Sequence, residues 1–413
     1  MNVLLIGGGG REHTIAKKIK ESKRLGKFYA IPGNPGIKNI AEVVNCDLNI
    51  KNIVNFAKNN AVDLIVCGPE QPLVEGLSDL AKESGIPVFG PSKNGAKLEG
   101  SKIYSKEIMA KYDIPTSDYK SFYDYESAYN YIQKRLTYPI VIKADGLAAG
   151  KGVKIVQNRE DAFDVIKSYM VDKALGASSE HIIIEDFMVG EEMSALYVTD
   201  GKTFIPLLPA RDYKKVFDDD KGENTGGMGC YAPHNSMTKD LQEEIETKII
   251  HKLKIALEKE GIDYKGVLYV GLMLTNEGAK VVEFNCRFGD PETQVIVPLI
   301  ESDLLELMYA TAKGKIDNQK IKWKNDYAAC VVIAMDGYPG DYKKGVKINF
   351  KTSPFDFIHA GTKYDGEDIV TNGGRVLNAV ALGTSKTGAL EQAYKLAQKV
   401  SFDGAFYRKD IGK

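Results

Sequence analysis

The chain has 413 residues, more than one ordinary core accommodates, and roughly two to four domains are expected. Its 55 Lys and Arg against 56 Asp and Glu give a formal net charge of −1 with no long run of one sign, which argues against a general nucleic-acid or membrane-surface role. The five cysteines, Cys46, Cys67, Cys230, Cys286 and Cys330, show no C-x-x-C spacing and fit reduced thiols rather than a disulfide framework or zinc site. No basic n-region opens the chain and no apolar segment reaches bilayer length, so a soluble, cytoplasmic protein is expected.

Residues 3–6 form an apolar run that ends in four glycines at 7–10 and leads into a helical pattern through Ile15, Ala16 and Ile19. Further short runs at 28–31, 64–67 and 88–89 alternate with helical stretches, the pattern of a doubly wound parallel sheet over residues 1–101. Ligands of such sheets bind beyond the carboxyl ends of the strands, where the loops 7–10, 32–36 and 68–72 fall. A dinucleotide fingerprint fails in both registers, because Glu12 or His13 stands where glycine is required. A glycine turn before a helix still suits a phosphate, with Gly10 and Arg11 as its contacts, although a purely structural turn fits equally. His13 reads as a structural histidine.

In the middle of the chain a strand at 138–143 ends in Lys143 and runs through A-D-G-L-A-A-G-K-G-V into a second strand at 153–156. The small positions Gly146, Ala149, Gly150 and Gly152, with Lys143 and Lys151, make a hairpin able to close over a triphosphate. Val153 after Gly152 excludes the ordinary P-loop. The strand at 181–187 brings Glu185, Asp186 and Phe187 to a point where backbone groups can meet an adenine edge, with Glu192 beyond the turn for ribose hydroxyls. Taken singly, Glu185 and Glu192 read as surface acids. Residues 210–229 read as a long charged loop whose N-T-G-G-M-G amides can line an anion. An amphipathic helix follows Thr238 to about residue 260, and strands at 268–275 and 279–285 form a hairpin.

That hairpin's second arm ends E-F-N-C-R-F-G-D-P-E-T-Q at 283–294. Alternation puts Glu283, Asn285 and Arg287 on one face and Phe284 on the other. A carboxylate and an amide oxygen one pleat apart, roughly 7 Å, can hold a hard cation against a phosphate chain, although E-x-N alone also reads as a solvated strand edge. Gly289 and Pro291 fix a tight loop that clusters Asp290 with Glu292, which is costly without a nearby cation or donors. From residue 326 a third region carries strands at 328–334 and 376–382 and a helix from Lys386, without a dense polar constellation, and reads as packing.

The stretches P-I-V-I-K-A-D-G-L-A-A-G-K-G-V at 139–153, N-T-G-G-M-G at 224–229 and R-F-G-D-P-E-T-Q at 287–294 together resemble the phosphoribosylamine–glycine ligase family of the ATP-grasp superfamily, along essentially the whole chain. The resemblance implies an α/β multidomain protein: an N-terminal pre-ATP-grasp domain at 1–101, an ATP-grasp domain at 102–325 with a lid subdomain at about 116–190, and a C-terminal α+β domain at 326–413. It implies joining of glycine to 5-phosphoribosylamine with ATP, through glycyl phosphate, in purine biosynthesis. Nucleotide contacts would be Lys102, Lys143, Lys151, Gly152, Glu185, Asp186, Phe187 and Glu192, and Glu283 and Asn285 would bind Mg²⁺ or Mn²⁺. The other substrates would meet Gly10, Arg11, Glu12, Pro35, Glu70, Asp212, Asn224, Thr225, Gly226, Gly227, Arg287 and Asp290, with Arg287, Lys143 and Asp290 acting in catalysis. The partners implied are small molecules, with no nucleic acid or membrane and a monomer or weak dimer. In one respect the pattern departs: many ATP-grasp enzymes take another metal-binding acid from the preceding strand, and 268–275 contains none, so ligation leans on Glu283, Asn285 and water. A different ATP-grasp ligase or carboxylase, and a non-catalytic nucleotide sensor, remain as alternatives.

Overall fold

In the computed structural model, which describes residues 1–148 and 151–413, four sheets converge on one cavity. The hairpin positions Ala149 and Gly150 lie outside the described residues. The first sheet is parallel, ordered Glu42–Val43, Phe28–Pro32, Val3–Gly7, Leu64–Cys67, Val88–Phe89. Its central strand is apolar on both faces because both are covered: Leu4 and Ile6 enter one core, Val3 and Leu5 the other. Beyond the carboxyl ends of two of these strands, Arg11 and Glu70 line the cavity.

A smaller antiparallel sheet, ordered Tyr119–Phe122, Ile182–Asp186, Ile140–Ala144, Val153–Val156, packs under the helices Tyr125–Lys134 and Arg159–Met170. Phe122, Ile132, Ile142, Ile166 and Ile184 form its own core. Opposite it stands a second antiparallel sheet of Phe204–Pro206, Glu191–Thr199, Gly266–Thr275 and Gly278–Asn285. In its last pair Gly271 faces Glu283 while Leu272 faces Val281, so Val282 is an inserted residue. This bulge switches the alternation. Val281 and Phe284 both enter the core, and Glu283 and Asn285 turn to the cavity.

The segment 210–229 is not an irregular loop. Arg211–Asp212 and Gly229–Ala232 are strands in the sheet of Tyr327–Met335, Arg375–Gly383 and Ile358–His359, so that sheet crosses residue 326. Between them Lys215–Phe217 and Lys221–Asn224 form a hairpin. Distant residues order it: Arg408 Nη1 donates to Lys215 O and Asp220 Oδ1, each at 2.9 Å, and the Lys409 amide donates to Asp218 Oδ1 at 2.7 Å. The amphipathic helix runs Lys239–Ile245, through a wider turn at Glu246–Ile250, into His251–Lys259. Among the described residues no helix is long and apolar enough to cross a membrane.

Candidate active site

The helix Gly10–Lys20 starts directly after the first strand, and Glu12 folds back beneath the glycine turn. Its Oε2 accepts the Gly9 amide at 2.7 Å and its Oε1 accepts Arg11 Nε at 2.6 Å. Only glycine leaves room for that carboxylate, since a Cβ would lie 2.5 Å from Glu12 Cγ at Gly7 and 2.1 Å from Oε1 at Gly68. At 3% exposed, Glu12 braces the turn and does not line the cavity, contrary to the substrate contact expected of it. Asp290 stands at the same helix N-terminus. Burial pushes its carboxyl up, but Arg375, Arg11, the Gln294 amide and the Arg11 backbone N–H together hold it below the ordinary aspartate value. The anion expected at Gly10 and Arg11 is thus supplied by the chain's own carboxylates. A ligand phosphate seated there would meet like charge. Gly10 packs against Asn378 and Gln294, and Pro35 opens a buried helix turn behind Asn34; neither lines the cavity.

The cavity, about 390 Å³, lies where the sheets meet. Arg287 enters it just beyond the end of the strand Gly278–Asn285, with Nε 3.2 Å from Glu70 Oε2 and Nη2 2.7 Å from Glu99 Oε1. Its Nη2 also donates to Asn285 Oδ1 at 3.3 Å. The guanidinium expected to meet substrate is therefore held by two protein carboxylates, and it orients Asn285. Burial pushes Glu70 up, but Arg287 and Arg11 hold it below the usual glutamate value. For Glu99 burial wins and the carboxyl is raised. Glu99 also accepts the Cys286 amide at 2.8 Å, which ties the helix Lys93–Gly100 to the end of the strand Gly278–Asn285.

Glu283 and Asn285 are close enough for Asn285 Nδ2 to donate to Glu283 Oε1 at 3.4 Å. Burial pushes Glu283 up, yet Lys214, Lys143 and Lys102 keep it below its ordinary value, so it stands as an ionised hard-oxygen donor. Among the described residues no group of three or more His, Cys, Asp or Glu could hold a metal. Lys102 Nζ donates to Gly146 O at 2.9 Å, and Lys143 Nζ lies 3.0 Å from Glu185 Oε1. At 2% exposed, Glu185 is no surface acid: it also pairs with Lys106, whose ammonium burial pulls down to about 8. Glu192 is half-exposed and pairs with Lys214 at 3.1 Å, beside a small cleft adjoining the cavity. Glu192 first, against burial, raises Lys214 well above the ordinary lysine value. Asp186 turns outward to Arg135, and Phe187 is exposed, so neither side chain lines the cavity. Gly152 does line it, whereas Lys151 and Asn224 lie on a neighbouring depression beside Pro339 and Gly340.

At the far end Asp212 is half-buried, and its Oδ1 is inaccessible and has no hydrogen-bond partner among the described residues. Burial, and then Glu292, push its carboxyl well above the aspartate range. Glu292 Oε1 accepts Ser194 Oγ at 2.9 Å. The N-T-G-G-M-G amides do not form the expected anion cradle, since they are already bonded. Thr225 N donates to Lys214 O at 2.8 Å, Gly226 N to Tyr338 OH at 3.0 Å, Gly227 N to Thr225 Oγ1 at 3.0 Å and Met228 N to Tyr213 O at 2.8 Å. Thr225 and Gly226 still line the cavity. Tyr338 and Arg375 line it as well, so the third region does more than pack. Sequence reasoning missed Glu99, Lys106, Lys214, Tyr338 and Arg375. Glu99 and Lys106 flank Lys102 closely enough for a search around it to have found them, but nothing local marks Arg375.

A cavity between a small antiparallel subdomain and a larger antiparallel sheet, with lysines on one side and a carboxylate–amide strand on the other, defines an ATP-grasp enzyme. The chain belongs to the phosphoribosylglycinamide synthetase family: the models of its N domain, ATP-grasp (A) domain and C domain match residues 1–99, 100–293 and 328–413. It is 49% identical over 414 residues to a phosphoribosylamine–glycine ligase of Caldanaerobacter subterraneus subsp. tengcongensis, covering 100% of this chain and 99% of that one. It is 43% identical to part of the trifunctional purine biosynthetic protein adenosine-3 of Gallus gallus, covering 99% of this chain and 42% of that protein. The crystal structure of a phosphoribosylamine–glycine ligase from Thermotoga maritima superposes with a TM-score of 0.88 at 35% identity, covering 99% of this chain and 100% of that one. A biotin carboxylase domain from Hydrogenobacter thermophilus shares the fold, with a TM-score of 0.75 at 18% identity over 98% of this chain and 91% of that one.

Proposed function

We propose that the chain is an ADP-forming carbon–nitrogen ligase that joins glycine to 5-phosphoribosylamine, giving 5-phosphoribosylglycinamide, ADP and phosphate in purine biosynthesis. The observation that carries this reading is the bulge at Val282, which turns Glu283 and Asn285 toward Lys102, Lys143 and Lys214 in a single cavity. An amine does not displace an oxygen from a carboxylate at neutral pH, so the glycine carboxylate first attacks the γ-phosphorus of ATP. ADP leaves and glycyl phosphate forms. The phosphoribosylamine nitrogen then attacks the acyl carbon, phosphate departs with the bridging oxygen, and the nitrogen gives up a proton. Both transfers rest on positioning and charge neutralisation rather than on a covalent protein intermediate.

Lys102 and Lys143 are assigned to the ATP phosphates, the 185–187 backbone to adenine and Glu192 to ribose. Glu283 and Asn285 would hold Mg²⁺ or Mn²⁺, which would supply positive charge against the developing charge on the transferred phosphoryl group. A glycine ammonium would give Asp212 and Glu292 the counter-charge that burial denies them. Acyl phosphates hydrolyse readily, and the subdomain at 116–190 would serve as the lid that keeps water from them. A cytoplasmic monomer or weak dimer, without nucleic acid or membrane partners, belongs to the same reading. The test is ADP release with glycine and freshly generated phosphoribosylamine, omitting each in turn. Full turnover is expected only with both, and equal ADP release without glycine overturns the reading.

A further inference from the structure

Arg375 reaches the cavity from the start of the strand Arg375–Gly383. Its Nη1 is engaged, donating to Gly226 O and Asp290 O at 2.7 Å each, with Gly227 O at 3.4 Å. Nε and Nη2 have no hydrogen-bond acceptor among the described residues. The guanidinium lies against Gly226, where a Cβ would stand 2.9 Å from its Cζ and 3.0 Å from Nη2. One edge of the group therefore braces two loops, and the other edge is without a hydrogen-bond acceptor among the described residues.

Phosphoribosylamine brings a dianionic phosphate ester and a ribose diol, and a phosphate in a partly desolvated cavity needs strong donors. The backbone cradles are closed: the amides of 225–228 are bonded internally, and the helix start at Gly10 faces Glu12 and Asp290. Arg287 is held by Glu70, Glu99 and Asn285, and Arg11 gives Nε to Glu12 and Nη1 to Phe288 O at 2.9 Å. Lys102, Lys143 and Lys214 surround Glu283 at the nucleotide end. Among the described residues of the cavity, Arg375 is the guanidinium that keeps a two-nitrogen edge free. Such an edge matches two phosphate oxygens, and the neighbouring Asp290 carboxylate can accept ribose hydroxyls.

We propose that Arg375 binds the phosphate of phosphoribosylamine, so that the third domain completes the acceptor-substrate site. The proposal rests on the reaction proposed above. It makes Arg375 a substrate-contacting residue that also positions the loops at Gly226 and Asp290.

The test compares wild type with Arg375→Lys and Arg375→Gln in steady-state kinetics, varying ATP, glycine and phosphoribosylamine separately. A lysine ammonium can still donate to the loop carbonyls but cannot present the Nε–Nη2 edge. In Arg375→Lys the KM for phosphoribosylamine should rise about tenfold while the KM values for ATP and glycine stay within about twofold. An unchanged KM for phosphoribosylamine, or an equal rise for all three substrates, overturns the proposal. Calorimetry without turnover gives a second readout, with ribose 5-phosphate, ribose and inorganic phosphate as probes. Wild type should bind ribose 5-phosphate at least about tenfold tighter than ribose or inorganic phosphate, and Arg375→Lys should lose most of that difference. Equal binding of ribose 5-phosphate by wild type and Arg375→Lys also overturns it. If wild type fails to release ADP with all substrates present, the ligase reading falls, and the calorimetric comparison still decides whether Arg375 holds a sugar phosphate.

Discussion

Glu283 remains ionised in a half-buried setting because three ammonium groups face it, so its charge serves the cavity rather than the fold. Glu283→Gln and Asn285→Ala should each reduce turnover about a hundredfold or more, since loss of a metal-binding oxygen removes several kcal/mol of transition-state stabilisation. Far-UV circular dichroism and the melting temperature should stay near wild type, and activity within a few-fold of wild type would remove both residues from metal binding. Glu99 is the opposite case. Its carboxylate joins the Arg287 guanidinium to the Cys286 amide, so Glu99→Ala leaves a mostly buried charge and a buried N–H without their partner. That change should destabilise the protein by about 2–3 kcal/mol, read as a lower urea midpoint, and a midpoint equal to wild type would show that Glu70 alone suffices for Arg287.

At the scale of elements, the motif strand and its same-face acid, amide and base were legible because alternation is local, while the bulge that aims them was not. Val282 is inserted relative to Gly271 and Leu272 of the partner strand, and an insertion relative to a partner is not visible in one strand alone. The segment 210–229 was misread for a related reason: its charges look solvated, yet Arg408 and Lys409 order its hairpin from the chain's end. The N-T-G-G-M-G amides looked available, but the acceptor for Gly226 N is Tyr338, and glycine content does not reveal such a partner. Asp145 shows how an element carries a site residue. Its Oδ1 accepts the Ile103 amide and Ser101 Oγ, each at 3.0 Å, and so fixes the N-terminus of the helix Lys102–Lys111 whose first residue reaches Gly146 O. Asp145→Ala should cost about 1 kcal/mol of stability and raise the KM for ATP several-fold, with the KM for phosphoribosylamine unchanged. Equal effects on both substrates would mean that the cap supports the whole cavity rather than Lys102.

Across the whole molecule, the N-terminal and C-terminal domains meet at two buried histidines, and neither the sequence separation nor the composition announces the contact. His13 was legible as structural, but its partner lies 346 positions away: the His359 amide donates to His13 Nδ1 at 2.8 Å. Asn34 Nδ2 strengthens the junction by donating to His359 O at 2.8 Å. His359 has both ring nitrogens occupied in the neutral form, since the Pro354 carbonyl can only accept from Nε2–H at 3.0 Å and Nδ1 then accepts Thr362 Oγ1 at 3.0 Å. Burial lowers its pKa to about 4, with the Pro354 bond opposing and Lys17 adding to the shift. Burial, His359 and Lys17 likewise lower His13 well below the ordinary value. In the unfolded chain both rings titrate near 6.5, so above that pH neither state binds the protons. As pH falls from about 6.5 to about 4 the unfolded state binds protons that the folded state refuses, and stability is lost; His359 alone accounts for about 3 kcal/mol of this. Urea midpoints between pH 7.5 and 4.5 should therefore fall more steeply for wild type than for His359→Gln, whose amide does not titrate. Carboxylate protonation contributes to both slopes and cancels in the difference, so parallel curves would show that His359 binds its proton equally in the folded and unfolded states.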